Sequence, residues 1–131
     1  LTGGCLCGAV RYSISTPPKH VYYCHCSKCR KVSGSVVGAW LTIPAAHLSI
    51  SGELSTYQSS ETFYRKFCGN CGSHILFKSV DEDAEFVEIC HGSLDIPMAQ
   101  PPQNHIWVGS RLHYVDLNTE LPAFDSEPSL R

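Results

Sequence analysis

A chain of 131 residues that is 43% hydrophobic and 10% aromatic has the material for one hydrophobic core and is short for two. Its formal charge of -2 and pI near 6.4 give no basic field of the kind that sequence-independent nucleic-acid binding relies on. No apolar run reaches the roughly 18 residues of a spanning helix, and the stretch from Val36 to Leu48 is broken by Trp40, Thr42, Pro44 and His47. These readings predict a single domain over residues 1–131 with no nucleic-acid and no membrane partner. A leader of charged and then apolar blocks is absent, which makes the cytoplasm the expected location; the sequence carries no signal for oligomeric state.

In chain order, alternating or β-branched runs predict strands at Ala9 to Ser15 and His20 to Cys24, divided by Pro17-Pro18. A short helical turn is expected after Cys29, then a strand from Ser35 to Ile43 and a turn at Ser51-Gly52. Further strands are predicted at Thr62 to Phe67, Ser73 to Lys78, Glu85 to Cys90 and His105 to Val108. Gly69-Asn70, Asp81 to Asp83 and the proline-rich Pro97 to Pro102 separate them. With no long 3.6-residue period anywhere, the fold class is mainly β: a small domain of antiparallel sheets stapled by metal, its core spanning about 3–114, with 115–131 a peripheral tail containing Pro122 and Pro128.

Seven of the eight cysteines fall in three tight clusters, Cys5-Leu-Cys7, Cys24-His-Cys26-Ser-Lys-Cys29 and Cys68-Gly-Asn-Cys71, leaving Cys90 alone. Thiols one or two residues apart bridge each other poorly but converge readily on one ion, so the clustering points to metal rather than to a disulfide scaffold. Cys68-Gly-Asn-Cys71-Gly has the form of a zinc knuckle, which supplies two of the four ligands that tetrahedral zinc requires; Cys5-Leu-Cys7-Gly is its complement. Together they predict a closed, structural four-sulfur zinc site tying the N-terminal hairpin to the middle of the chain, with iron the other metal that the ligands allow.

Cys24, Cys26 and Cys29 offer three thiolates, one short of a full shell, and an open fourth position is what separates a catalytic zinc from a structural one. Three thiolates leave the metal a poor electrophile but able to hold an incoming thiol as thiolate, so the chemistry implied is thiol chemistry. Lys28, Arg30 and Lys31 crowd the same turn and are candidates to grip the carboxylates of an acidic thiol. Two other readings stay open from the residues alone: a second structural site completed by His25, Cys90, His91 or another distant ligand, and a redox pair within the cluster. His25 is expected to take a local packing or hydrogen-bonding role, Cys90 to be a buried inert thiol, Arg65 and Lys66 to be ordinary solvated strand charges, and His74 and Trp107 to be structural.

The segments Gly3-Gly-Cys-Leu-Cys-Gly-Ala-Val-Arg-Tyr12, Cys24-His-Cys-Ser-Lys-Cys-Arg-Lys31 and Phe67-Cys-Gly-Asn-Cys-Gly72 resemble the glutathione-dependent formaldehyde-activating enzyme family, which includes centromere protein V. The resemblance continues through Tyr57-Gln-Ser-Ser60, Gly92-Ser-Leu-Asp95 and His105-Ile-Trp-Val108. It implies a zinc-stapled β fold with a structural zinc at Cys5, Cys7, Cys68 and Cys71 and a second, labile zinc at Cys24, Cys26 and Cys29. It also implies a carbon-sulfur lyase that condenses glutathione with formaldehyde to S-(hydroxymethyl)glutathione. The alternatives are a lyase acting on a different glutathione conjugate and a noncatalytic zinc-stabilised protein-binding module.

Overall fold

The segment His20-Val-Tyr-Tyr-Cys24 and the run Gly38–Pro44 are rich in aromatic and branched side chains and buried along most of their length, the profile of strands covered on both faces. In the computed structural model, which describes residues 1–128, they are β3 and β4 of a seven-stranded sheet. With β1 Thr2–Gly4, β2 Arg11–Ile14, β5 Leu48–Ser51, β6 Leu54–Gln58, β7 Phe63–Cys68, β8 His74–Ser79, β9 Phe86–Cys90 and β10 Asn104–Ile106, the order is β10-β3-β4-β9-β8-β7-β6; a second sheet of three strands runs β1-β2-β5. The mainly β expectation holds, and the cysteine clusters sit at loops that these sheets bring together.

Four features differ from the sequence reading. The strands β1, β5 and β6 were not predicted: β1 and β6 carry Gly, Ser and Thr and show no apolar alternation, and the alternating Leu48-Ser-Ile-Ser51 of β5 is only four residues long. Residues 35–37 are turn rather than strand. The helix α1, Ser27–Ser33, begins ahead of Cys29 instead of after it, because the Cys26 thiol caps it by accepting from the Cys29 backbone N–H. It ends at Gly34 in the left-handed conformation, φ 67°. Finally, β10 lies parallel to β3 while every other ladder is antiparallel. The long connection between β9 and β10 allows this, and its effect is that both strands end at the same edge, with Cys24 opposite Ile106.

Alternation along the central strands divides the sheet into two apolar faces. Leu41 and Ile43 join Val21, Ile75, Leu76, Val87, Ile89 and Leu94, and on this side Val10, Tyr12 and Ile14 of the small sheet close the main core. The other face carries Trp40, Tyr22, Cys24, Cys29 and Ile106, packed by Phe77, Val32 and Phe124. The tail after Tyr114, expected to be peripheral, returns along β10: the His105 and Phe124 backbones exchange bonds with Pro122 and His105, and Phe124 covers the second cluster. No helix among the described residues is long and apolar enough to cross a membrane.

The small sheet docks through Gly92-Ser-Leu-Asp95. Ser93 Oγ lies 2.8 Å from the Tyr12 hydroxyl, Leu94 is buried, and the Asp95 carboxylate accepts from Arg11 and from Thr2 Oγ1. Arg11 holds the Asp95 carboxyl well below its ordinary range, at about 2. Gly3 pairs with Leu94 at this junction, where a Cβ would overlap the Tyr12 hydroxyl and the Ser93 carbonyl oxygen. Gly3→Ala is therefore expected to cost about 1–3 kcal/mol by overpacking, read as a lower urea midpoint in far-ultraviolet circular dichroism; an unchanged midpoint would show that the sheets do not depend on this contact.

Candidate functional site

The first cluster forms where two loops meet. Cys5 and Cys7 lie between β1 and β2, Cys68 ends β7, and Cys71 opens the turn into β8; Gly8 at φ 82° and Gly72 at φ 79° supply the left-handed backbone that each turn needs. The four Sγ atoms lie within 4.8 Å of one another, with Cys5 to Cys7 at 3.6 Å and Cys7 to Cys68 at 3.8 Å. A tetrahedral thiolate shell with metal-sulfur bonds of ~2.3 Å has sulfur-sulfur edges of about 3.8 Å, so the four sulfurs already have the spacing that such an ion would require. Polar hydrogens converge on them: the Val10 N–H on Cys5, the Asn70 side-chain amide on Cys7, and the Ser73 hydroxyl 3.2 Å from Cys71. The Val10 N–H lowers the Cys5 thiol, and the Ser73 hydroxyl with nearby backbone N–H groups brings Cys71 down to about 5. These shifts favour the thiolate, the form in which cysteine ligates.

The second cluster is built by the end of β3 and the start of α1. Cys24 closes the strand, Cys26 caps the helix and Cys29 lies on its buried side, their sulfurs also within 4.8 Å of one another. Hydrogen bonds from Cys24 and Cys29 push the Cys26 thiol far down, while the same sharing pushes Cys24 far up. Among the described residues no fourth His, Cys, Asp or Glu joins them. His25 is turned away: it is 1% exposed, its Nε2 lies 2.9 Å from His105 Nδ1, and its ring stacks on that of His105. Because His105 Nε2 faces the Asn118 carbonyl and must donate there, His105 Nδ1 accepts, and His25 Nε2 is the donor. His91 contacts the Gln100 carbonyl at 2.7 Å, and burial raises the Cys90 thiol well above its ordinary range.

A cavity of about 340 Å³ opens on the three thiols, walled by Tyr22, Phe63, Phe77, Ile106 and Trp107, with Lys28, Arg65 and Glu127 also in its lining. Trp107 enters this wall from an unusual backbone, φ 56° and ψ 38°. A bulky residue rarely adopts that conformation; here the Trp107 N–H donates to Ser126 and its carbonyl accepts from Ser110. Of the three cations singled out from the sequence, Lys28 faces the cavity. Arg30 is spent on the carbonyls of His25 and Ser110, which pins the cysteine turn to the loop after β10, and Lys31 lies outside the lining.

Arg65 overturns its sequence reading. It is 7% exposed rather than solvated, its guanidinium stacks 4.4 Å from the Phe77 ring centroid, and its Nε donates to Ser59 Oγ. Two-residue alternation already places Arg65 on the same face as Phe63. What the alternation alone withholds is that Phe77, its cross-strand partner on β8, carries that face into the cysteine cavity.

Comparison with known proteins agrees with these motifs. A family model described as glutathione-dependent formaldehyde-activating enzyme matches residues 1–110. A protein of Halomonas elongata named "Putative glutathione-dependent formaldehyde-activating enzyme" is 28% identical over 91% of this chain and 82% of its own. One of Podospora anserina with the same name is 28% identical over 81% of this chain and 53% of its own. A protein of Schizosaccharomyces pombe named as an uncharacterized lyase is 31% identical over 57% of this chain and 55% of its own. This chain therefore spans about half the length of several relatives. A crystal structure of a Rhodobacter sphaeroides protein superposes with a TM-score of 0.58 at 18% identity, covering 95% of this chain and 99% of the other, a likeness of fold.

Cobalt(II) titration of the metal-free protein is expected to fill two thiolate sites, each visible by sulfur-to-metal charge transfer. Cys71→Ser should remove one and cost roughly 3 kcal/mol or more of stability, since a structural metal's binding energy is folding energy. Cys26→Ser should remove the other and leave the melting temperature nearly unchanged. A single equivalent indifferent to Cys26→Ser would dismiss the second site.

Proposed function

The chain belongs to the glutathione-dependent formaldehyde-activating enzyme family, and from that premise we propose that it is a zinc-dependent carbon-sulfur lyase joining glutathione and formaldehyde. In this reading Cys5, Cys7, Cys68 and Cys71 hold a structural zinc, and Cys24, Cys26 and Cys29 hold the catalytic one. The observation that carries the proposal is the second cluster itself: three sulfurs within 4.8 Å, one short of a tetrahedral shell, facing a cavity walled by aromatic side chains. A bound zinc there supplies an open position that keeps an incoming thiol in its thiolate form at neutral pH.

The protein's own residues do the remainder. The Cys26 cap and the Arg30 and His25 tethers fix the turn, so the three sulfurs are placed before any ligand arrives. The aromatic wall of Tyr22, Phe63, Phe77 and Trp107 gives the reacting sulfur an apolar flank, on which an aldehyde meets less water than it would in bulk. The thiolate sulfur attacks the formaldehyde carbon; the carbon-sulfur bond forms as the carbonyl π pair moves to oxygen, and that oxygen takes up one proton, matching the one the thiol released. The reverse sequence releases the aldehyde. Lys28, at the cavity's helix side, is the cation of the sequence-predicted set that remains available to a substrate carboxylate.

Exchange between glutathione with ¹³C-formaldehyde and the adduct, followed by two-dimensional NMR, tests this against the uncatalysed background. Zinc-loaded protein should accelerate exchange saturably, and Cys26→Ser should lower the acceleration by roughly 100-fold or more with an unchanged circular dichroism spectrum. Full glutathione-dependent exchange in that variant would remove the catalytic assignment; no acceleration with glutathione but turnover of a bulkier glutathione conjugate would move the substrate and keep the site.

A further inference from the structure

The cavity beside the three cysteines contains a buried cation, Arg65, with which no carboxylate forms a salt bridge among the described residues. Arg65 Nη1 is inaccessible to solvent and has no hydrogen-bond partner, its Nε is satisfied by Ser59, and no ion pair to it is formed among the described residues. Taking a guanidinium out of water costs several kcal/mol unless it is paired. Stacking on Phe77, with Trp40 at 5.9 Å, offsets part of that. The nearby Cys90 and His74 supply no anion: Cys90 is held protonated by burial, and His74 is kept neutral by burial down to about 4. Glu127, the carboxylate in the lining, is exposed on the tail and makes no bond to the guanidinium. A fork of donors held rigid by an aromatic face, in the lining of the same cavity as the three clustered sulfurs, matches a planar oxyanion.

We propose that Arg65 is the anion anchor of this cavity, and that the cavity selects thiols that carry a carboxylate, with sulfur at the cysteine cluster and carboxylate at the guanidinium. The inference rests on the functional reading above for the placement of the sulfur. It replaces the surface cations of α1 with a strand residue as the main determinant of acid recognition, and it makes neutral thiols poor ligands of an otherwise open metal.

Binding of ω-mercaptocarboxylates from 3-mercaptopropionate to 6-mercaptohexanoate, each paired with its methyl ester, to the cobalt-substituted protein separates the two levels. Perturbation of the cobalt spectrum reports sulfur reaching the metal whether or not catalysis follows. At least one acid should bind roughly 10- to 100-fold more tightly than its ester, the range of a charge-assisted hydrogen bond. Arg65→Gln should erase that preference while leaving ester binding and cobalt content in place, and Arg65→Lys should restore part of it. Equal binding of acids and esters by the wild type, or a preference that survives Arg65→Gln and is lost in Lys28→Gln, would overturn the anchor while leaving the thiol site standing. No spectral response to any thiol would overturn the functional reading and the inference with it. If Arg65→Gln fails to fold, the acid-to-ester comparison in the wild type and in Arg65→Lys still decides.

Discussion

The parallel pairing of β10 with β3 is the constraint on which the site depends. Antiparallel neighbours would send their ends to opposite edges of the sheet, whereas this ladder brings Cys24 and Ile106 to the same edge. The turn that carries Cys26 and Cys29 and the turn that carries Trp107 and Ser110 therefore leave the sheet side by side. Three tethers fasten them: the His25 N–H to the Ile106 carbonyl, the His25 ring to His105, and the Arg30 guanidinium to the carbonyls of both turns. The cost of Trp107's left-handed backbone is borne here, where the bonds around it over-determine the turn.

The two cysteine clusters occupy positions of different character. The four-sulfur cluster joins the loop between β1 and β2 to the loop between β7 and β8, and its buried members Cys5 and Cys68 belong to the main core. Local N–H and O–H donors reach its sulfurs, and its members come from one loop of each sheet. The three-sulfur cluster belongs to the other face, with Tyr22, Trp40 and Ile106, and faces a cavity. A sheet buried on both faces keeps the two sets of thiols apart, which lets one be closed and the other remain open.

Much of this was legible in the sequence, and the losses have physical causes. Cysteine spacing gave both sulfur groups because ligands two or three residues apart have few other uses. Alternation located the central strands because their side chains sort sharply between core and the opposite face. It passed over β1 and β6, whose Gly, Ser and Thr residues carry little contrast between faces, and over β5, whose alternating Leu48-Ser-Ile-Ser51 is only four residues long. The start of α1 was missed because its cap is a thiol doing the work usually done by a hydroxyl or carboxylate. Arg65 was misread for a different reason: strand alternation says which face a residue is on, but not what covers that face, and the cover comes from Phe77, twelve residues further on, and from Trp40 on a distant strand.

The motifs outside the cysteines have duties that set the limits of what the family resemblance says about the substrate. Ser59, from Tyr57-Gln-Ser-Ser60, orients Arg65; Ser93, Leu94 and Asp95 dock the small sheet; His105 steadies the cysteine turn through His25. These are positioning roles. Of the residues lining the cavity, Tyr22, Phe63, Arg65 and Phe77 lie outside the motifs on β3, β7 and β8, while Lys28, Ile106 and Trp107 lie within them. The three sulfurs are thus placed by motif residues alone, whereas the cavity beside them is walled partly by motif residues and partly by the sheet face of β3, β7 and β8, whose shape and charge the motifs do not set.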